Sequence, residues 1–400
     1  MTNVSNITFN FGDRRLVGQD KARDYISRII HSDRLGHAYL LSGPRGTGKT
    51  ALALAFAEIL NGIDNLTDLG DQAFSKKSSW LNHPDIHLFL PVPTTYNMEE
   101  LGNRLGLLNE DPYELADFSH RPSLTDQEST KNKQSFYPID FFHEEIRPKA
   151  FLKPNEGNKT VIILTEIETM RKEAANAFLK LLEEPSENIV FLLTTNSTDA
   201  LLPTIISRCQ QIKLNTLPTK TIKNALITHD NVPEDDAAYL ARICGGNYTM
   251  AHFFDTETLK ETRGEVIEYL RNAFTQDAVK LIETAKNWQN KQNINGQIAT
   301  LNVLETFLRD LLIYRSTQEK SLLVNADQIE TIQKFCTKLG DARLEEMIAQ
   351  IEQCRTLIYQ NVQPKLVFAT LSLRFSNLMR DFDLPIAENE SWKHLPAYID

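Results

Sequence analysis

The sequence predicts an α/β chain built on a mostly parallel sheet, followed by a helical carboxyl-terminal part. Three observations carry that prediction. Short apolar runs at 37–41, 161–164 and 189–193 read as buried strands. Segments with apolar residues at helical spacing separate them, the pattern of a parallel sheet covered on both sides. Beyond Leu217-Pro218 the strand pattern stops and helical periodicity takes over.

The elements follow in order. Residues 21–30 form an amphipathic helix with Ala22, Ile26, Ile29 and Ile30 on one face. The strand His37-Ala38-Tyr39-Leu40-Leu41 runs into a glycine-rich turn and then a helix carrying Leu52, Ala55, Phe56, Ile59 and Leu60. Residues 93–137 are polar, with little periodicity in their second half, and read as an insertion with some helix and a mobile loop near 120–135. Between the strands Val161–Leu164 and Ile189–Leu193 lies a helix with Ala174, Phe178, Leu181 and Leu182 on one face. Residues 219–255 read as a small helical unit and 262–380 as a bundle. One stripe of that bundle is Leu301, Leu304, Leu308, Leu311 and Leu312, another Met347, Ile351, Cys354 and Ile358. The expected domains are 1–216, 217–260 and 261–385, with 386–400 as a loosely ordered tail.

Composition narrows the function classes. The 400 residues are 41% hydrophobic and 24% charged, ordinary for a soluble globular protein, and too many for one ordinary core. No apolar run is long enough to span a bilayer, and the first residues lack a signal-peptide core, so a cytoplasmic location is expected. Cys209, Cys244, Cys336 and Cys354 are scattered, which indicates neither a disulfide framework nor a zinc site. The net charge of −10 is unlike that of a protein whose main task is gripping duplex phosphates, so contact with nucleic acid is expected to be local or shared with partners.

The chemistry begins at Gly43-Pro44-Arg45-Gly46-Thr47-Gly48-Lys49-Thr50. It matches G-x-x-x-x-G-K-[ST] between a strand and a helix, the context that motif requires. Glycines let backbone N–H groups surround phosphates, the helix N-terminus adds partial positive charge, and Lys49 reaches the terminal phosphates. Thr50 would give its hydroxyl to Mg²⁺. Such a loop needs a second strand that ends in carboxylates to hold the metal and polarise water. Here the run Val161–Leu164 is followed by Thr165-Glu166-Ile167-Glu168. A threonine stands where an aspartate would hold the metal, and Glu166 stands where the water-activating carboxylate is expected. Both glutamates are equally readable as solvated charges at a strand end. The site leaves room for ATP and Mg²⁺ but weakens the case for hydrolysis.

Val17-Gly18-Gln19, His37-Ala38-Tyr39-Leu40, the phosphate loop and Asn176-Ala177-Phe178-Leu179-Lys180-Leu181-Leu182-Glu183-Glu184-Pro185 occur in that order. Thr194-Thr195-Asn196 and Leu201-Leu202-Pro203-Thr204-Ile205-Ile206-Ser207-Arg208-Cys209 follow. Together they resemble the AAA+ subunits of bacterial clamp loaders, the delta-prime type above all. The resemblance covers residues 14–216 apart from the insertion. It continues weakly into the helical bundle, where Asn361-Val362-Gln363-Pro364-Lys365-Leu366 is similar to the last collar helix.

The resemblance implies an AAA+ P-loop domain, a helical lid and an all-α collar that holds a hetero-oligomer together. It implies that Arg208 projects into a neighbour's ATP site as an arginine finger, and that Thr195 or Asn196 senses the terminal phosphate. Partners would be the other loader subunits (gamma/tau and delta), with the sliding clamp and primed DNA met through the complex. Two departures stand out. Cysteines that bind zinc in bacterial relatives are absent from residues 61–85, where His83 and His87 read as ordinary strand-edge residues, so no zinc is expected. Thr249, in Gly245-Gly246-Asn247-Tyr248-Thr249-Met250-Ala251, falls where the second sensor usually has an arginine. These departures favour an interaction subunit with a degenerate site. The alternatives are a gamma/tau-type motor ATPase, another AAA+ ATPase, or a nucleotide-gated module outside replication.

Overall fold

A computed structural model describes residues 10–11, 14–31, 35–66, 81, 83–124, 134–253, 256–291, 293–360 and 362–382. Most of the cysteine-free segment, residues 125–133 of the expected mobile loop, Asn361 and the tail lie outside the described residues. The chain divides into two compact units. The first takes Met1–Leu124, Lys133–Ala237 and Gly245–Phe253, and the second Thr125–Asn132, Ala238–Cys244 and Phe254–Asp400.

A two-residue antiparallel pair, β1 (Asn10–Phe11) with β2 (Arg14–Arg15), precedes the first helix, Asp20–His31. The first unit is then built on five parallel strands: β3 (Ala38–Ser42), β4 (Ile86–Phe89), β5 (Thr160–Leu164), β6 (Ile189–Thr195) and β7 (Gln210–Lys213). Their order across the sheet is β4-β5-β6-β3-β7. This is the α/β P-loop arrangement that the sequence predicts. β3, β5 and β6 are buried at every residue, which is why they read as continuous apolar runs. The two edge strands carry no apolar run, though His87, read as a strand-edge residue, does lie in β4. β7 is Gln-Gln-Ile-Lys with only Ile212 buried, because an edge strand keeps its outer groups wet. β4, Ile-His-Leu-Phe, is too short and interrupted to show a period.

The helix Lys49–Leu66 begins directly on the glycine-rich turn, and its Leu52, Ala55, Phe56 and Ile59 are buried. Lys172–Glu183 buries Ala174, Phe178, Leu181 and Leu182, the face its spacing predicts. The 93–137 segment is better folded than its polarity suggests. Val92 and Phe136 close its base by exchanging two N–H···O bonds of 3.0 Å. The helix Met98–Glu110 starts at Asn97, whose side chain accepts the Glu99 N–H. Arg104 is fully buried, donating to the carbonyls of Ala116 and Asp117 and to Glu100, with its guanidinium 3.8 Å from the Phe118 ring centroid. A buried arginine whose two terminal nitrogens both donate helps so polar a stretch pack.

The second unit is helical. Its long helix Ile294–Thr317 starts at Asn293, whose side chain accepts the N–H groups of Asn295 and Gly296. Leu301, Leu304, Leu308 and Leu311 are buried there, with Leu312 half-buried. Met347, Ile351, Cys354 and Ile358 are buried on the helix Leu344–Tyr359. Both stripes therefore face the core of the bundle, as their spacing predicts.

Candidate nucleotide site

Gly43–Thr50 joins the carboxyl end of β3 to the helix Lys49–Leu66. Gly46 and Gly48 lie in the left-handed region, with φ of 67° and 89°, so two positions of the turn depend on lacking a Cβ. The Lys49 ammonium is buried and donates to the carbonyls of Gly43 (2.8 Å) and Pro44 (2.6 Å). Burial lowers its pKa to about 8, partly offset by Glu166 and Glu168. Thr47 is buried and donates to the Pro44 carbonyl. Gln19 of the Val-Gly-Gln string explains why that string precedes the loop. Its side chain donates to the carbonyls of Thr47 (3.0 Å) and Asn215 (2.7 Å), tying the turn to the chain leaving β7.

The Thr165 hydroxyl is buried and aimed into the sheet, 3.4 Å from the Phe89 carbonyl to which it donates. Tyr137 reinforces that corner by donating to both Phe89 and Thr165 carbonyls at 2.8 Å. Glu166 has left-handed backbone (φ 47°), an uncommon conformation for a residue with a Cβ, held by its N–H to Thr194 Oγ1. Its carboxylate accepts from Asn196 Nδ2 (3.1 Å) and lies 3.6 Å from Arg45. Glu168 accepts the Asn196 N–H. Asn196 thus faces the acidic pair, whereas Thr195 is buried and its hydroxyl donates to the Ser197 carbonyl. Among the described residues no group of three or more acidic, His or Cys side chains could hold a metal ion. The loop fits phosphates; the chain supplies little more than Thr50 and Glu166 for Mg²⁺.

Sequence reasoning missed the groups that cover the loop. Asn247 sits against Gly46, where an added Cβ would come within 1.6 Å of its Oδ1. The Tyr248 N–H donates to the Gly46 carbonyl (2.9 Å). From the insertion, Tyr113 packs on Gly48, accepts the Val17 N–H at 2.7 Å and meets Tyr248 edge-on, with centroids 4.8 Å apart. The Arg45 guanidinium donates to the His120 ring, and His120 Nδ1 lies 2.6 Å from Asp117 Oδ1. His120 and Arg45 together hold the Asp117 carboxyl below its usual range despite burial. His252 lies between Asp111 (3.1 Å) and Asp230 (2.9 Å), which raise its pKa to about 10. These side chains come from stretches remote in sequence, so no local period could announce them. Thr249 lies on the helix Tyr248–Phe253, half-buried.

Arg208 is elsewhere. It precedes β7, whose first residue, Gln210, is level with Tyr39, while the phosphate loop leaves β3 after Ser42. It therefore stands at the amino end of the sheet, roughly 13 Å along the strands from the loop. Its guanidinium, one-third exposed, donates to the Thr204 carbonyl (2.9 Å) and to Glu183 (2.8 Å). The Ser-Arg-Cys and Leu-Glu-Glu-Pro strings meet in that pair.

Family comparisons agree with this layout. The model described as "DNA polymerase III, delta subunit" matches residues 18–218, and that of its C-terminal part matches residues 257–377. The chain belongs to this family. It is 24% identical over 347 residues to DNA polymerase III subunit delta' of Bacillus subtilis, covering 86% of this chain and 92% of that one. It is 30% identical over 228 residues to subunit tau/gamma of Haemophilus influenzae, covering 56% of this chain and 27% of that one. A solved gamma subunit-related protein of Thermotoga maritima is 19% identical, with a TM-score of 0.42, covering 90% of this chain and all of that one. The protein is thus of the DNA polymerase III clamp-loader family, and its place is in DNA replication. No described helix is long and apolar enough to cross a membrane.

Proposed function

We propose that the chain is a delta-prime-type subunit of the clamp loader, acting in the cytoplasm as a stator whose own ATP site is degenerate. It lends Arg208 to a neighbouring protomer. The observation that carries this reading is the placement of Arg208 at the end of the sheet opposite its own phosphate loop, one-third exposed and paired with Glu183. A guanidinium so placed can neutralise phosphoryl charge only in another subunit's site. Thr165 supports the second half, because its hydroxyl is turned into the sheet and brings no charge to a metal. The domain roles follow: 1–216 as the AAA+ domain, 217–260 as lid and 261–385 as collar, with gamma/tau and delta subunits as partners and clamp and primed DNA met through the complex. Within the site, Asn196 is the better candidate for sensing the terminal phosphate, since its amide reaches Glu166.

The test is reconstitution. Arg208→Ala should leave assembly intact and lower clamp-stimulated ATPase at the site it serves by about 10³-fold. Unchanged turnover would remove the finger assignment. The motor reading retains Lys49 and Glu166 in its favour; brisk hydrolysis by the isolated chain would restore it.

A further inference from the structure

We propose that residues 111–121 of the insertion are a built-in occupant of the nucleotide pocket, so that nucleotide enters only when this stretch is displaced. The inference rests on Gly43–Thr50 being a phosphate cradle and is independent of Arg208. Phosphates on the N–H groups at the start of the helix Lys49–Leu66 bring the attached nucleoside against whatever flanks the loop. Two walls touch it: Gln19, through the Thr47 carbonyl, and the Asn247-Tyr248 turn, through Gly46. Tyr113 meets the second wall at Tyr248 and takes the N–H of Val17, two residues before Gln19. It is a flat aromatic ring on Gly48, edge-on to Tyr248, with its hydroxyl on the Val17 N–H. A planar base with a hydrogen-bonding edge would ask for the same contacts. Tyr113 is only 6% exposed, so its ring is not a platform open for stacking.

Two further contacts hold the stretch in place. His120, itself held by Asp117, takes Arg45 of the phosphate loop. Asp111 pairs with His252, on the helix that follows the Asn247-Tyr248 turn. An occupant of this kind lowers apparent affinity by the fraction of molecules in which it is displaced.

The experiment is calorimetric titration of MgATP into the full chain, as wild type and as Tyr113→Ala. The proposal expects the substitution to tighten binding by about tenfold or more, because it raises the open fraction. Adding Lys49→Ala should abolish the gain. Binding by the wild type that Tyr113→Ala weakens or leaves unchanged would overturn the proposal and leave the cradle standing; no binding by either chain would remove the cradle along with it. Should Tyr113→Ala fail to fold, hydrogen exchange on the wild type decides. Faster exchange across residues 108–121 in millimolar MgATP supports the proposal, and unchanged or slower exchange overturns it.

Discussion

The two ends of the parallel sheet are built on opposite principles. At the carboxyl end, half-buried polar side chains around a buried His120 are committed to one another in a chain: Asp117 to His120, His120 to Arg45, Arg45 to Glu166 and Glu166 to Asn196. At the amino end, Arg208 and the more exposed Glu183 form a single pair. A connected network resists rearrangement because any broken member leaves others unsatisfied, while a single pair at the surface is cheap to break and re-form with another partner. The contrast teaches that the end bearing the nucleotide motif is held by many mutually dependent bonds, and the opposite end by one pair.

Breaking the closed end should produce the largest effects. Arg104→Met would strand Glu100 and the Ala116 and Asp117 carbonyls beneath Phe118, and should destabilise the chain by about 3 kcal/mol in urea titration. A loss no larger than that of a surface substitution would mean the insertion is not part of the folded core. Gly46→Ala comes next. Its methyl group would collide with Asn247, whose Oδ1 accepts the Met250 N–H at 2.9 Å, and φ is unfavourable besides, so about 2 kcal/mol should be lost. Equal stability would show that the turn can leave the loop freely.

His252 gives a pH signature. Its folded pKa, raised to about 10 by Asp111 and Asp230, lies above the ordinary histidine value near 6.5. The folded chain then binds more protons than the unfolded chain across that window, and stability must fall as pH rises from about 6.5 to 10. The melting temperature should decline through this range, and His252→Gln should flatten the slope. A wild-type slope that the variant retains would assign the effect elsewhere. The smallest change belongs to the open end: Arg208→Ala should alter stability by less than about 1 kcal/mol, as expected of an exposed ion pair. A larger loss would make Arg208 a structural residue and blur the contrast.

Legibility followed the reach of each interaction. The central strands announced themselves because β3, β5 and β6 are apolar throughout, and the phosphate loop because its glycines, lysine and flanking elements are contiguous. The edge strand β7 was silent, since a wet edge needs no apolar run, and β4, although mostly buried, is too short and interrupted to show a period. Glu166, Asn196 and Arg208 were named from motif order, yet only coordinates separate Asn196, facing the acidic pair, from Thr195, turned inward. Tyr113, His120, Asn247 and His252 were invisible because their partners lie dozens of residues away. The sequence of residues 93–137 suggested an insertion with some helix and a mobile loop near 120–135; the helix is Met98–Glu110, and its buried Arg104 helps the polar described part pack.

The account is tested most directly by measuring ATP turnover of the reconstituted loader with either Arg208→Ala or Lys49→Ala introduced into this chain alone. It predicts that Arg208→Ala removes the turnover of one site while Lys49→Ala leaves the total within about twofold of wild type. The reverse ranking, with Lys49→Ala the damaging change, would contradict it.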